Sequence, residues 1–254
     1  MKTEILYEDN SILVIRKPAG LAVQSAGIGQ ADVVSELKSH LAKLPGAGRT
    51  GKGEPYLGIV HRLDQPVEGL LVFAKDKKAA AALSKQLTEG ALNKHYYAVL
   101  CGYPDCPEGD LVDYLRKEGN VAVAVTGREQ EFADAKIAAL HYRILEEINA
   151  PSPLALADVT IGTGRFHQIR VQFAHAGFPL FGDTKYGTAV LKEAMSAQKY
   201  RGVALCAYSL ELVHPVSGKK MGFRVVPKNP AFAGFAMEEL KKLTENETGI
   251  SKRG

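Results

Sequence analysis

The stretch GIVHRLDQPVEGLLVFAK, residues 58–75, combines a strand that must be buried with a carboxylate that burial would penalise. Its end, GLLVFAK, is an almost continuous apolar run of strand length, which is typical of a strand covered on both faces. Asp64 comes shortly before that run and directly after the basic pair His61-Arg62 and Leu63. An ionised carboxylate gains nothing from such a neighbour, so its position indicates a purpose other than packing. We expect the strand to hold Asp64 rigidly at the edge of a cleft.

Around this stretch, short β-prone runs outnumber helices. Apolar residues at helical spacing predict helices over about residues 32–44 and 165–176. A third helix, KKAAAALSKQLTEG, is predicted to begin after the N-cap Asp76 and to end at Gly90. The predicted strands lie within residues 5–17 (two runs), 69–75, 95–102, 137–147, 155–162, 203–213 and 221–226, with only weak β-prone runs over 103–136.

This order of elements predicts an α+β fold. Many strands with few helices between them favour a single domain built on a largely antiparallel or mixed β-sheet, with flanking helices and a central cleft. We expect this domain to cover residues 1–230. The remaining residues, 231–254, are predicted to form a polar C-terminal helix or tail.

Composition narrows the class of protein. The chain has 254 residues, 46% hydrophobic and 24% charged, which excludes a disordered chain and is ordinary for a globular enzyme. Its net charge of +4 is compatible with a polyanionic partner but is not evidence for one. Three cysteines without a CxxC pair argue against a disulfide framework, so a reducing compartment is expected. The sequence shows no signal peptide and no apolar run of about 18 residues, so we expect a cytoplasmic protein without a membrane anchor.

Several common catalytic signatures fail in this sequence. GAGRTGKG, residues 46–53, has the glycine and lysine spacing of a phosphate-binding loop, but Gly53 stands where a magnesium-binding Ser or Thr should be. No strand precedes it and Pro55 interrupts the helix that should follow, so a flexible basic loop is the favoured interpretation. The histidines form no HExxH or Cys/His cluster and there is no GxSxG, so neither a metal site nor a serine hydrolase is expected.

A second unusual stretch is GTGRFHQIRVQFAHAG, residues 162–177. Read as a helix, it places Phe166, Ile169 and Phe173 on one face, together with Arg170. A guanidinium cannot lose its proton, so its partial burial requires an anion. Pattern alone leaves two accounts open: the arginine either reaches solvent or a structural carboxylate, or it pairs with Asp64 at the floor of a cleft.

Five segments in order resemble the RluA-type pseudouridine synthases. They are ILYEDNSILVIRKPAGLAV, HRLDQPVEGLLVFAK, KHYYAVLCG, GTGRFHQIRVQFAHAGFPLFGDTKYG and ALCAYSLELVHPVSG. The resemblance extends from about residue 5 to residue 227, and the five motifs together are strongly specific. It implies an isomerase that converts uridines of structured RNA, either ribosomal or transfer RNA, to pseudouridine without a metal or other cofactor.

The resemblance also assigns roles to residues. It implies that Asp64 is the catalytic residue and that Tyr96 and Arg170 accompany it. Tyr96 would stack on a flipped uracil and handle a proton, although the strand pattern alone favours a core tyrosine. The residues expected to bind the RNA are Arg62, His61, Arg165 and Gln168.

Some residues depart from the family pattern. Val67 and Glu68 stand where threonine and serine are usual, and Phe166 stands where threonine is common. Glu68 adds a negative charge near the active loop, which puts the details of RNA contact in doubt. A second hypothesis therefore stays open, a catalytically silent RNA-binding or RNA-chaperone protein on the same scaffold.

The family comparison also bears on partners. We expect only the catalytic domain, without the N-terminal S4-type RNA-binding domain of many relatives, because the first predicted strand begins so near Met1. The expected partner is an RNA stem-loop, bound by a monomer without an obligate protein partner. The basic loop 49–52 and residues 103–136 are candidates for the rim that binds it.

Overall fold

The computed structural model describes residues 1–25, 27, 29–44, 54–126, 134–149, 152–187 and 202–236. The basic loop 49–52 and nearly all of the predicted polar tail lie outside these residues. The chain divides into two compact units, each made of two segments: Met1–Lys94 with Ala207–Pro227, and His95–Cys206 with Lys228–Gly254. The single domain predicted over residues 1–230 remains a prediction, and we describe each unit by itself.

The described elements are mostly strands, as the sequence predicts for an α+β fold. In chain order they are β1 (Glu4–Glu8), β2 (Ile12–Lys17), α1 (Val33–Lys43), β3 (Gly58–Ile59), β4 (Glu68–Ala74), α2 (Lys77–Thr88), β5 (Asn93–Cys101), β6 (Glu108–Glu118), β7 (Val121–Ala124), β8 (Lys136–Ile148), β9 (Leu154–Ile161), α3 (Gln168–His175), β10 (Leu205–Val213), β11 (Lys220–Arg224) and a 3-10 turn (Pro230–Phe232).

In the first unit, β2 and β4 form the centre of the sheet. Its strand order is β1-β2-β4-β10, with β3 pairing with β4 and β11 with β10. Antiparallel pairing joins β1 to β2, β2 to β4, β3 to β4 and β10 to β11. Every residue of β2 and β4 is buried, which confirms that GLLVFAK is a strand covered on both faces.

The two helices of the first unit begin where their capping residues predict. Asp32 accepts a hydrogen bond from the backbone N–H of Ser35 and caps α1, and Asp76 does the same for Ala79 in α2. Each carboxylate satisfies a backbone donor that the first turn of a helix leaves unpaired. These boundaries were predictable because the caps are local.

In the second unit, the strand order is β5-β9-β8-β6-β7. The pairs β5–β9, β8–β9, β6–β8 and β6–β7 are antiparallel. One cluster of its core joins Leu115 of β6, Ala122 of β7, Ala138 of β8 and Val171 of α3. The region 103–136, where the sequence shows only weak β-prone runs, thus contains two strands, and β6 escaped detection because most of its residues are partly or fully exposed.

Gly69 offers a test of how tightly β4 is enclosed. Its φ is 128°, and a Cβ added there would lie 2.5 Å from the backbone nitrogen of Ala207. Since backbone atoms cannot move aside as a flexible side chain can, Gly69→Ala should lower the free energy of unfolding by about 3 kcal/mol or more. Gly218→Ala is the control: its φ is 68° but its Cβ would meet nothing within 4 Å, so only about 1–2 kcal/mol of strain is expected. Urea denaturation of both variants measures the difference, and equal losses would contradict the close approach.

Candidate active site

Asp64 lies in a turn that leads directly into β4. Its backbone carbonyl accepts a hydrogen bond from the N–H of Val67, 3.1 Å away, and β4 begins at the next residue, Glu68. The Asp64 residue is half-buried. The expectation that the buried strand anchors this carboxylate therefore agrees with the structure.

Lys17, which sequence reasoning missed, lies beneath this turn. It is the last residue of β2, and its side chain is fully buried. Its Nζ donates hydrogen bonds to the carbonyls of Pro18 (2.9 Å), Leu21 (2.7 Å) and Gln65 (3.0 Å). An ammonium has three N–H donors, so these acceptors use them all. One buried cation thus ties the residue after Asp64 to the end of β2.

A second contact fastens the same turn. The backbone N–H of Gly20 donates to the carbonyl of Gln65 at 2.8 Å, and the side-chain amide of Gln65 donates to the carbonyl of Gly20 at 3.1 Å. Gly20 has a φ of 84°, which favours glycine at this position. The turn is therefore held on two sides by the loop that follows β2.

Burial has a measurable electrostatic effect at Lys17. It lowers the pKa of the Lys17 ammonium to about 7, while the nearby carboxylates of Asp64 and Glu68 oppose the shift and raise that pKa. The opposing effect indicates that the Lys17 side chain and both carboxylates lie close enough to interact electrostatically.

Two of the three residues that depart from the family pattern point into the protein. Val67 is buried, and Glu68 is only 3% exposed. The carboxylate of Glu68 lies 3.4 Å from Nη2 of Arg16, which also donates to the carbonyl of Val226 at 2.5 Å. The negative charge of Glu68 is therefore balanced inside the first unit, beside Lys17, rather than presented on its surface.

The basic pair before Asp64 divides into a buried and an exposed residue. Nε2 of His61 accepts a hydrogen bond from the N–H of Val72, and burial, with a smaller effect of Lys94, lowers the pKa of His61 to about 3. His61 is thus a neutral interior residue, and its position does not fit the predicted contact with RNA. Arg62, in contrast, is exposed.

Tyr96 lies in β5, opposite Val159 of β9. It is 5% exposed and its neighbour Tyr97 is 1% exposed, so burial by itself does not distinguish a core tyrosine from one that lines a site. Because side chains alternate along a strand, the two rings point to opposite faces. The catalytic role of Tyr96 stays a prediction.

Arg170 is buried on α3, as the sequence predicts, but its strongest partner was not foreseen. Nε and Nη2 of Arg170 donate to Oδ2 and Oδ1 of Asp183 at 2.7 and 2.9 Å, and both residues are almost completely buried. Asp183 is thus a structural carboxylate for this arginine, which is one of the two accounts that the sequence leaves open. The other account, pairing with Asp64, stays a prediction.

Of the two remaining predicted RNA-binding residues, Arg165 lies in the loop before α3 and Gln168 is the first residue of that helix. Gln168 is buried: its Oε1 accepts from Oγ1 of Thr163 (2.7 Å) and from the N–H of Arg165 (2.9 Å), and its Nε2 donates to the carbonyl of Ala139 (3.0 Å). These bonds make Gln168 a support of the loop, which does not fit the predicted contact with RNA. Arg165 is partly exposed, with Nε donating to the carbonyl of Ile137 at 3.0 Å.

The described residues include neither a cluster of metal ligands nor a membrane-spanning helix. They contain no group of three or more His, Cys, Asp or Glu side chains arranged to hold a metal ion. Within the same ranges, no helix is both long and apolar enough to cross a membrane.

The buried ammonium of Lys17 predicts a pH dependence of stability. Its pKa is about 7 in the folded protein and near 10.5 for an ordinary lysine, so between these values the unfolded chain holds more protons. The free energy of unfolding should therefore rise with pH across this window, by at most about 1.4 kcal/mol per pH unit from this residue. Lys17→Met should lose that part of the slope, whereas Lys77→Met, at an exposed lysine, should keep it. Urea titrations at several pH values measure both, and equal slopes for wild type and Lys17→Met would contradict the shifted pKa.

Comparison with known proteins gives a consistent result. The model of the RNA pseudouridylate synthase family matches residues 11–175. The chain is 35% identical to ribosomal large subunit pseudouridine synthase D of Zymomonas mobilis over 230 residues, which cover 87% of this chain and 68% of that protein. The enzyme of the same name from Pseudomonas aeruginosa is also 35% identical, with 87% and 67% covered.

Solved structures agree with the sequence relatives. Human RNA pseudouridylate synthase domain containing 4 superposes with a TM-score of 0.68 at 25% identity, covering 89% of each chain. Human RNA pseudouridylate synthase domain containing 1, at 19% identity, shares the fold with a TM-score of 0.71 over 96% of this chain and 94% of that one. With its motifs, fold and relatives in agreement, the chain belongs to the RNA pseudouridylate synthase family and is an RNA uridine isomerase.

Proposed function

We propose that the chain modifies uridines of large-subunit ribosomal RNA, with Asp64 as its catalytic carboxylate. The observation that carries the role of Asp64 is its turn, which Lys17 and Gly20 hold against β2 and which leads directly into the buried strand β4. The choice of RNA rests on the names of the relatives, which are ribosomal large subunit pseudouridine synthases. Ribosomal RNA is preferred to transfer RNA for that reason, and we place the enzyme in the cytoplasm and expect it to act as a monomer.

The reaction places a clear demand on Asp64. The N1–C1′ glycosidic bond breaks, the uracil rotates, and a new bond forms between C5 and C1′. A carboxylate can attack C1′, add to the ring or take the 2′ proton, and each of these routes requires an ionised oxygen aimed at the nucleotide. The hydrogen bonds of the turn, including the one from Lys17 to the carbonyl of Gln65, would supply aim.

Arg170 is proposed to be the second charged group of the reaction. Asp183 binds the Nε–Nη2 edge of the guanidinium, which leaves three of its five N–H donors for other acceptors. A guanidinium held in this way can bind a further anionic group, and we propose that Arg170 does so in the reaction. Charge-assisted hydrogen bonds are short and directional, so they would orient that group as well as stabilise its charge.

Tyr96 and Arg62 are proposed to act on the RNA. Tyr96 would offer a flat face on which an extruded uracil stacks, and its hydroxyl would handle the proton released at C5. The exposed Arg62 would bind phosphate or fill the space that the flipped base leaves. His61, Gln168 and the partly exposed Arg165 are proposed to hold the loops that present these groups.

The silent RNA-binding alternative has little support. The two relatives reported above are named as synthases, and the departures at Val67 and Glu68 are buried. A protein that only bound RNA would also have no use for a buried cation under a half-buried carboxylate.

Asp64→Asn should abolish isomerisation, because the amide keeps the shape of the side chain but cannot serve as an ionised nucleophile or base. Release of tritium from RNA labelled at C5 of uridine measures turnover, and gel retardation measures binding of the same RNA. Binding should change by less than about threefold, since one neutralised carboxylate removes no contact to phosphate. Glu211→Gln, which removes an exposed carboxylate from β10, should retain full activity. Substantial turnover by Asp64→Asn would remove the assignment.

Recognition should be local and should concern large-subunit ribosomal RNA. Mapping of pseudouridines in cells with and without the gene should reveal uridines of that RNA that lose the modification. A short stem-loop carrying such a uridine should then be modified about as well as the full RNA.

Arg49→Ala with Lys52→Ala should weaken binding and reduce its salt dependence, because fewer phosphates are neutralised. Loss restricted to transfer RNA would contradict the proposed substrate, and activity only on an assembled ribosomal particle would indicate a distant contact surface.

A further inference from the structure

The motif GDTKYG, residues 182–187, follows α3 and contains Tyr186 and Asp183, the bidentate partner of Arg170. We infer that Asp183 and Tyr186 are positioning residues, which fix the guanidinium of Arg170 from two sides so that it can orient a further anionic group. The inference rests on the proposed role of Arg170 in the reaction.

Asp183 is oriented by its own loop before it meets the arginine. The backbone N–H of Asp183 donates to the carbonyl of Leu180 at 3.1 Å, and the N–H of Gly187 donates to the carbonyl of Asp183 at 2.8 Å. Its Oδ1 also accepts from the backbone N–H groups of Lys185 (3.0 Å) and Tyr186 (3.2 Å). These backbone donors fix the orientation of the Asp183 carboxylate. The guanidinium of Arg170 must therefore adopt the orientation that fits this carboxylate.

Tyr186 supports the arginine from a second direction. The Cζ of Arg170 lies over the Tyr186 ring at 5.2 Å from its centroid, which is cation–π geometry. The Tyr186 hydroxyl accepts the backbone N–H of Ala122 at 2.7 Å and lies 2.7 Å from Nδ1 of His167. Because one hydroxyl can accept and donate at once, both bonds can form, and they hold the ring in one orientation.

The bond to His167 also determines where α3 begins. His167 precedes the helix with a φ of 54°, the one positive φ among the non-glycine residues that the structure describes, and it provides no side-chain cap. Such a conformation is unfavourable for a residue that carries a side chain and persists only where the surroundings enforce it. The carbonyl of His167 accepts the N–H of Val171, so this residue sets the first helical turn, which carries Arg170. Tyr186 thus fixes the guanidinium and the start of its helix together.

A positioning role and a purely structural role make different demands on kinetics. If Asp183 and Tyr186 only stabilise the fold, their loss lowers thermal stability while each folded molecule works at its normal rate. If they aim the guanidinium, the chemical step slows in molecules that remain folded and bind RNA normally. The single-turnover rate at saturating RNA, measured with Kd and Tm, separates these cases.

The experiment uses the full chain and three variants. Asp183→Asn keeps the shape but removes the charge, Tyr186→Phe keeps the ring but removes the hydroxyl, and Tyr142→Phe is the matched control. Tyr142 lies in β8 of the same unit, is buried, and donates its hydroxyl to the carbonyl of Cys106 at 3.3 Å. The substrate is a uridine-containing stem-loop, and the readout is tritium release in a single turnover.

Asp183→Asn should slow the single-turnover rate by about 10- to 100-fold, the range usual when an outer partner of a site is removed. Tyr186→Phe should slow it by about three- to tenfold, because the ring remains under the guanidinium. Tyr142→Phe should show a normal rate despite a lowered Tm, and Kd should stay within about twofold of wild type in all three. Should Asp183→Asn fail to fold, Tyr186→Phe alone decides the question.

Two contrary results have distinct meanings. Normal single-turnover rates in both Asp183→Asn and Tyr186→Phe, with Asp64→Asn inactive, would overturn this inference and leave the proposed function standing. An inactive wild-type protein on all uridine RNAs, or a normal rate in Arg170→Gln, would overturn the proposed function and this inference with it.

Discussion

The buried ammonium of Lys17 is the interaction on which the geometry of the first unit depends. A charged group in a protein interior is costly unless it is paired or fully hydrogen-bonded, and here three backbone carbonyls provide the bonds. Those carbonyls belong to the residues after β2 and to the turn that carries Asp64. Satisfying one buried lysine therefore fixes two loops at once, and the position of Asp64 follows from that requirement.

The second unit also contains a buried basic side chain that needs hydrogen-bond acceptors, and here it is Arg170. A lysine ammonium is a compact point charge that suits a ring of single carbonyls, whereas the planar guanidinium of Arg170 suits a bidentate carboxylate. Asp183 supplies that carboxylate with its own orientation already set by backbone N–H groups. Each unit thus contains a buried basic side chain whose partners are mostly rigid, which suits a reaction that requires accurate placement of a carboxylate.

What could be predicted from the sequence was either local or carried by whole motifs. The caps Asp32 and Asp76 define helix starts because each one bonds to a residue three positions later. The start of α3 was predicted too early, since nothing in its apolar spacing reports the left-handed conformation of His167. The buried run GLLVFAK drew attention to Asp64, and the resemblance to known synthases identified the family and the role expected of that residue.

The failures came from contacts between distant segments. Asp183 lies in a loop without periodicity, so nothing in the sequence pattern indicates that it reaches Arg170. His61 belongs to a basic pair, which favours an exposed position, yet it is buried and accepts a hydrogen bond from the backbone N–H of Val72. Lys17 ends an apolar strand and could have been recognised as unusual, because a lysine in a fully buried run needs acceptors that only the folded chain can supply.

The pairing of Glu68 with Arg16 has a consequence for how this sequence can change. Loss of one member of a buried ion pair leaves the other charge unpaired and costs about 3–5 kcal/mol, a large share of the roughly 5–15 kcal/mol that stabilises a typical domain. Replacing Glu68 by a small hydroxyl residue should therefore destabilise the protein while Arg16 is still present. Replacing Arg16 before Glu68 should destabilise it as well. The two sites, on neighbouring strands, are exchanged safely only together. Arg16 and Glu68 should therefore change together, both during evolution and when the active loop is transferred to another protein.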